Sequence, residues 1–368
     1  MSDSSNKTNP GRLSKVRNII PPVPKRFKRV RGEERIQEAF QNIPNITNET
    51  VAEHREDVLK GARKYKYPLQ HSKHRIVIVS TGLLIFAVLA FFVYVGLALY
   101  KFQSSSSFIY RVTQVLPLPV AKAGSHFVTY ENYLFELRRY KHYYQTQQRV
   151  DFGAADGQRQ LDKYKPVAMN EVVQAAYVKQ LAAQYHVSVS SGDVDAEISS
   201  LQAQNQSSKQ ELADVTNKFF GWSLDDLKRE IKQELLAQRV AAKLDTDARA
   251  RADAVLAQLV AGGDFTTLAA DNSDDASTKA NGGQYANTAI TSASADVPSA
   301  VVRQLKGMQV GQVSGVIQAG GAFEIVKLIA NSNGKLTAAH IAVNINSVDT
   351  YVSGFAKKHP SHVFIQTL

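Results

Sequence analysis

Residues Ile76–Tyr100 read IVIVSTGLLIFAVLAFFVYVGLALY, without one charged side chain. A helix needs about 20 apolar residues to cross the hydrocarbon core of a bilayer, and helices buried in soluble cores rarely run so long. The stretch predicts one transmembrane helix, and it divides the chain into a part on each side of a membrane. A cleaved signal peptide is the competing reading. It fits poorly, because the run lies 75 residues into the chain and no small-x-small site closes it. Ala121-Lys122-Ala123 has that form but stands too far beyond the apolar run.

The flanks give a direction. The segment Glu56–Arg75 holds six basic residues (Lys60, Arg63, Lys64, Lys66, Lys73 and Arg75), whereas Lys101–Val120 holds only Lys101 and Arg111. Basic excess marks the cytoplasmic side of a span. The N-terminal tail is therefore expected in the cytoplasm and the remaining 268 residues outside it.

Charge follows the same division. Residues 1–75 carry 17 Lys+Arg against 8 Asp+Glu, so the tail supplies +9 of the total +11. Attraction of a juxtamembrane basic segment to anionic lipid accounts for this charge, and no nucleic-acid partner is expected. The chain has no cysteine, which excludes disulfides, metal–thiolate sites and thiol nucleophiles. Neither a metal nor another cofactor is expected.

Residues 1–30 are polar, basic and interrupted by Pro10, Pro21, Pro22 and Pro24, a composition that predicts disorder. Short helices are expected at 33–41 and 51–65. Beyond the span, the serines of 103–107 and the LPLPV stretch suggest a linker over 101–128 with an extended part. Apolar residues at steps of three and four then predict helices over 130–149, 169–185, 194–203 and 224–244. Capping boxes at Ser190/Asp193 and Ser223/Asp226 start the last two. Residues 129–245 are thus expected as an all-helical domain. From 246 onward helices (246–260, 265–270, 298–305, 348–358) mix with strands (313–318, 322–330, 338–344), and an extended end follows at 362–367. The whole is α+β, with a small antiparallel sheet in the final domain, 246–368.

Several runs in that final domain occur in a telling order. They are Gly263-Asp264-Phe265-Thr266-Thr267-Leu268-Ala269, Ser273-Asp274-Asp275-Ala276-Ser277-Thr278-Lys279-Ala280-Asn281-Gly282-Gly283, Val310-Gly311-Gln312-Val313-Ser314-Gly315-Val316-Ile317, and Phe323-Glu324-Ile325-Val326-Lys327-Leu328. Together they resemble a parvulin-type (PpiC-like) peptidyl-prolyl isomerase domain. The helical region led by Val128-Thr129-Tyr130-Glu131 is similar in layout to the chaperone region of SurA- and PrsA-type foldases. The resemblance implies an active-site acid at Asp275 and an apolar seat for the substrate proline at Tyr285, Val297 and Val301. It also implies client polypeptides with X-Pro bonds as partners.

Two departures from the family pattern stand out. No Ala-x-His-Ile-Leu-Val strand precedes the first helix, and Glu324 stands where a second histidine is usual. The missing form appears after the last expected strand, as Ala338-Ala339-His340-Ile341-Ala342-Val343. Three placements of this strand are open: the first-strand place of a circularly permuted sheet, with His340 beside Asp275 and Glu324; the start of a truncated second repeat; or a strand whose histidine meets solvent. The first would make Asp275, His340 and Glu324 the catalytic group. A capping role for Asp275 in a solvated loop is the plainer alternative. Two functions follow, a membrane-anchored extracytoplasmic isomerase and chaperone, or a binding-only chaperone with a degenerate isomerase domain. A structural adaptor is the third.

Overall fold

The computed structural model describes residues 36–37, 40–41, 47–66 and 68–366. The disorder expected over 1–30, and most of the helix expected at 33–41, lie outside the described residues. The chain divides into two units, Met1–Phe86 and Ala87–Leu368. Helix α1 spans Asn48–Lys66 and α2 spans Pro68–Gly96, followed by a π-helical turn over Leu97–Lys101. Among the described residues one helix, His74–Lys101, is long and apolar enough to cross a membrane.

The residues expected to form a linker are part of a core instead. Ser106 caps helix α3 (Ser107–Val115) by accepting from Ile109 N at 3.4 Å, so the serines start a helix here. Strands β1 (Pro119–Ala123) and β2 (His126–Thr129) follow as a tight antiparallel hairpin. Ile109, Val120, Ala121, Ala123 and Val128 join Val95, Ala98 and Leu99 in one buried apolar cluster. Tyr100 Oη donates to Pro119 O at 2.6 Å, and the Tyr130 hydroxyl donates to Leu99 O.

Helices α4 (Tyr130–Gln147), α5 (Ala155–Gln184), α6 (Ser191–Gln204), α7 (Lys209–Phe220) and α8 (Leu224–Leu244) build the helical part. Their starts obey local chemistry. Reciprocal capping boxes open α6, α7 and α8 at Ser190/Asp193, Ser208/Glu211 and Ser223/Asp226. Each satisfies two N–H groups that the first helical turn leaves without partners. The tyrosines of α4 serve mostly as packing: Tyr130 and Tyr133 are fully buried, and Tyr140 and Tyr144 stack on Tyr164 of α5.

The chain leaves this part after Asp245 and returns at Asn346. One carboxylate holds both crossings. Asp245 Oδ1 accepts from Ala248 N at 2.9 Å, starting α9 (Thr246–Val260), while Oδ2 accepts from Asn346 N at 2.8 Å and Nδ2 at 2.9 Å. Between them lie α10 (Phe265–Asn272), α11 (Ala276–Lys279), α12 (Ser299–Lys306) and a sheet of β3 (Ile317–Ala319), β4 (Ala322–Ser332) and β5 (Lys335–Asn344). All pairings are antiparallel, in the order β3-β4-β5. The β4–β5 hairpin turns at Asn333-Gly334, both at positive φ (53° and 81°), the backbone that a tight two-residue hairpin demands. One sheet face packs Ile325, Ala339 and Ile341 on α9 and α10; the other packs Val326, Leu328 and Ala338 on α12.

The expected final domain, 246–368, is divided by this return. Helix α13 (Val348–Lys358) and strand β6 (Ser361–Val363) go back to the helical part. There β6 pairs with β1 in the sheet order β2-β1-β6, and Val352 and Ile365 enter the cluster that holds Val120 and Leu137. The physical reason is that β1 would otherwise carry a bare edge over a core, and the C-terminal strand completes it.

Candidate active site

The hairpin register sets the site. Antiparallel pairing places His340 opposite Val326 and Glu324 opposite Ala342. Side chains alternate along a strand, so Glu324 and His340 share one face as diagonal neighbours. His340 Nδ1 lies 2.8 Å from Glu324 Oε2, and its Nε2 lies 2.9 Å from Asp275 Oδ2. Asp275 arrives from the other direction, as the N-cap of α11. Its Oδ1 accepts from Ser277 N at 3.0 Å and Ser277 Oγ at 2.7 Å, leaving Oδ2 for Thr278 Oγ1 at 2.7 Å and for the imidazole. The capping role and the contact with His340 are thus two ends of one carboxylate.

Gly283 allows the approach. Its carbonyl accepts from His340 N at 2.8 Å, and at φ +78° a Cβ there would stand 2.1 Å from His340 O. No side chain fits. Tyr285, two residues on, donates its N–H to Ala338 O at 3.1 Å and stacks on His340, with ring centroids 4.2 Å apart. The Tyr285 hydroxyl is buried without a hydrogen-bond partner among the described residues.

Burial separates the three charged groups. The side chains of His340 and Glu324 are 6% and 5% exposed, whereas that of Asp275 is 28% exposed. Burial opposes the charge on Asp275, but the Ser277 and Thr278 hydroxyls hold its carboxyl down at about 2. Burial likewise opposes an imidazolium, yet Glu324 and Asp275 against its two nitrogens raise the pKa of His340 above the ordinary 6.5. Burial raises Glu324, with His340 working against the rise. The two carboxylates thus favour the charged form of the imidazole between them. Thr278 Oγ1 also lies 2.9 Å from His340 Nε2, so hydroxyl, imidazole and Glu324 stand in a row.

A pH prediction follows. Asp275, depressed when folded, contributes stability above its unfolded value that is lost as pH falls from 3.8 through about 2. His340, raised when folded, contributes stability that is complete below 6.5 and lost as pH rises through its folded value. In an NMR titration, the His340 ring, assigned by its absence in His340→Gln, is expected to titrate above 6.5. A midpoint below the free-histidine value would contradict the ion-pair geometry.

The structure therefore brings together Asp275, His340, Glu324 and Tyr285. It does not open the rest of the expected proline seat. Val297 and Val301 are 0% exposed and lie in the apolar cluster with Leu305, Val326 and Leu328. Val301 belongs to the face that α12 turns onto the sheet, and Val297, just before the Pro298 cap, packs into the same cluster. The sequence reading missed Thr278, which bridges Asp275 and His340, and Ser273, whose Oγ accepts from Asp275 N at 3.3 Å and Ala342 N at 3.2 Å. A signal existed for Thr278: an Asp followed by Ser and Thr two and three residues on is a capping pattern.

Comparison with known proteins finds two family matches. The family described as PPIC-type PPIASE domain matches residues 231–330. Residues 231–330 are therefore similar to a parvulin-type domain. The family described as SurA-like N-terminal domain matches residues 69–241, which covers the whole apolar helix and α3 to α7, and runs into α8. The chaperone SurA of Thiobacillus denitrificans (strain ATCC 25259 / T1) is 36% identical over 107 residues, 27% of this chain and 23% of that relative. The chain thus matches less than a quarter of the relative's length. The parvulin match stops at residue 330, before the strand that carries His340.

Proposed function

We propose that the protein is a membrane-anchored foldase acting outside the cytoplasm, in which a parvulin-type domain isomerises X-Pro bonds of client polypeptides held by the SurA-like helical part. The observation that carries the reading is the Asp275–His340–Glu324 line, with His340 brought in by a strand beyond the matched region. In this proposal β5 fills the first-strand place of a circularly permuted parvulin sheet. Its pairing along β4 and its contact with Asp275 support that placement.

Rotation about an X-Pro bond meets a barrier of about 20 kcal/mol and makes or breaks no covalent bond. The site needs only to favour the twisted amide over the planar one. A planar amide places negative charge on its oxygen, and twisting withdraws that charge. A fixed carboxylate beside the amide therefore disfavours the planar form more than the twisted form. Asp275 is suited to this role, since it is the most exposed of the three groups and keeps its charge down to about pH 2. His340 positions it, and Glu324 holds His340.

Anchoring rests on the apolar helix and orientation on the six-against-two basic flanks. The basic tail would add attraction to anionic lipid on the cytoplasmic face. A second reading, a chaperone without isomerase activity, is favoured by one observation: Val297 and Val301 offer no surface to a prolyl ring. Full-length protein in detergent, tested on a client whose refolding is limited by proline isomerisation, separates the two. The proposal expects a faster slow phase and less client aggregation. Suppressed aggregation with an unchanged slow phase would select the binding-only reading, and absence of both would leave an adaptor.

A further inference from the structure

The helical part holds an open cavity of about 630 Å³ between α4, α5 and α8, lined also by β2 and the start of α13. Its wall carries five carboxylates (Glu136, Glu171, Glu230, Glu234 and Asp349) against three cations. Two of those cations are already engaged. Arg139 meets Glu136 Oε2 at 3.0 Å and Glu171 Oε2 at 3.1 Å, and Arg229 meets Glu131 Oε1 at 2.7 Å and Asn132 Oδ1 at 2.6 Å. Lys179 is the third cation, and among the described residues it forms no ion pair.

Among the described residues, Glu230, Glu234 and Asp349 form no ion pair. Glu230 accepts only from Gln233 Nε2 at 3.2 Å, and Glu234 only from Gln238 Nε2 at 3.3 Å, among the described residues. Gln174 Oε1, on the facing helix, is buried with no hydrogen-bond partner among the described residues. Glu230, Gln233 and Glu234 lie at helical spacing on one face of α8, so their polar ends converge. Burial raises the carboxyls of Glu136 (to about 7) and Glu230, as expected where acids crowd a poorly hydrated space.

We propose that this cavity takes the lysine or arginine side chain of an extended client segment, with the cationic head among Glu230, Glu234 and Gln174 Oε1. The proposal rests on the client-holding reading above and names the chemistry of what is held. Val172, Leu236 and Val348 supply apolar wall for the methylene stem of such a side chain. The segment's main chain has a place as well. Strand β2 is an edge of its sheet, and His126–Val128 line the cavity, so an extended segment can pair along β2 while its side chain points inward.

The test uses full-length protein in detergent and a fluorescent, otherwise neutral nonapeptide whose central residue is lysine, norleucine or glutamate. Lysine is expected to bind at least about tenfold tighter than norleucine, and glutamate weakest. The double variant Glu230→Gln/Glu234→Gln is expected to abolish the lysine preference and leave norleucine binding unchanged, while Lys179→Met is expected to increase the preference. Equal affinity for lysine and norleucine peptides, a preference surviving in the double variant, or spermidine bound as tightly as the lysine peptide would each overturn the proposal. A client-aggregation assay keeps the two readings apart. Wild-type protein that suppresses aggregation without a lysine preference overturns this proposal alone, whereas failure to hold any client overturns the holding function with it.

Discussion

His340→Ala is expected to destabilise the sheet part by about 3–5 kcal/mol, the cost of breaking a buried ion pair by removing one partner. The Glu324 side chain, 5% exposed, would keep its oxygens in the interior with no cation against them. Tyr285 would lose the ring it stacks on. Urea unfolding followed by far-ultraviolet circular dichroism reads the loss as an earlier transition. The double variant Glu324→Leu/His340→Leu separates charge from packing, because replacing a buried pair with apolar groups of similar size is often neutral. It is expected to recover most of the stability lost in His340→Ala. A His340→Ala midpoint equal to that of wild type would mean that the pair is not buried as described.

Deleting residues 347–368 is expected to open the helical part while leaving the β3-β4-β5 sheet folded. The deletion removes β6 from the edge of β1 and takes the fully buried Val352 and the nearly buried Ile365 from the main apolar cluster. Burial of such side chains is worth about 1.5–3 kcal/mol each, against a total stability of about 5–15 kcal/mol for a domain. The chain contains a single tryptophan, and Trp222 stacks on Phe135 of α4 with ring centroids 5.2 Å apart. Its fluorescence therefore reports on the helical part alone. A red-shifted emission with newly cleaved sites in α4 to α8 is the expected result. Unchanged fluorescence would contradict the return of the C-terminus to this core.

These two tests address different degrees of legibility in the sequence. The helix expected from 169 begins at Ala155 and Lys209–Phe220 is not among those expected, whereas the boundaries expected for Leu224–Leu244, Thr246–Val260 and Val348–Lys358 match α8, α9 and α13. Local chemistry decides such segments. The role of 101–128 could not be read that way, because its serines and prolines look like a linker until β6, some 240 residues later, supplies the missing strand. The same non-local pairing hid the destination of α13. At the site, the resemblance and the order of the motifs offered Asp275, Glu324 and His340 side by side as one of three placements, and the choice among them depends on the β4–β5 pairing, which the motifs alone do not fix. Val297 and Val301 show the limit: a valine at helical spacing has the same pattern whether it meets a substrate or a sheet.

The central claim is that Asp275, positioned by His340, acts on a prolyl amide. The most direct measurement is the cis-to-trans rate of a short X-Pro peptide, followed by NMR exchange, with full-length wild type and with Asp275→Ala. Asp275→Ala also removes the cap of α11, so Asp275→Asn, which keeps a capping oxygen and loses only the charge, is measured beside it. The account predicts acceleration by wild type and a fall to near the uncatalysed rate in both variants, with the Asn variant still folded. Acceleration by Asp275→Asn equal to that of wild type would contradict it.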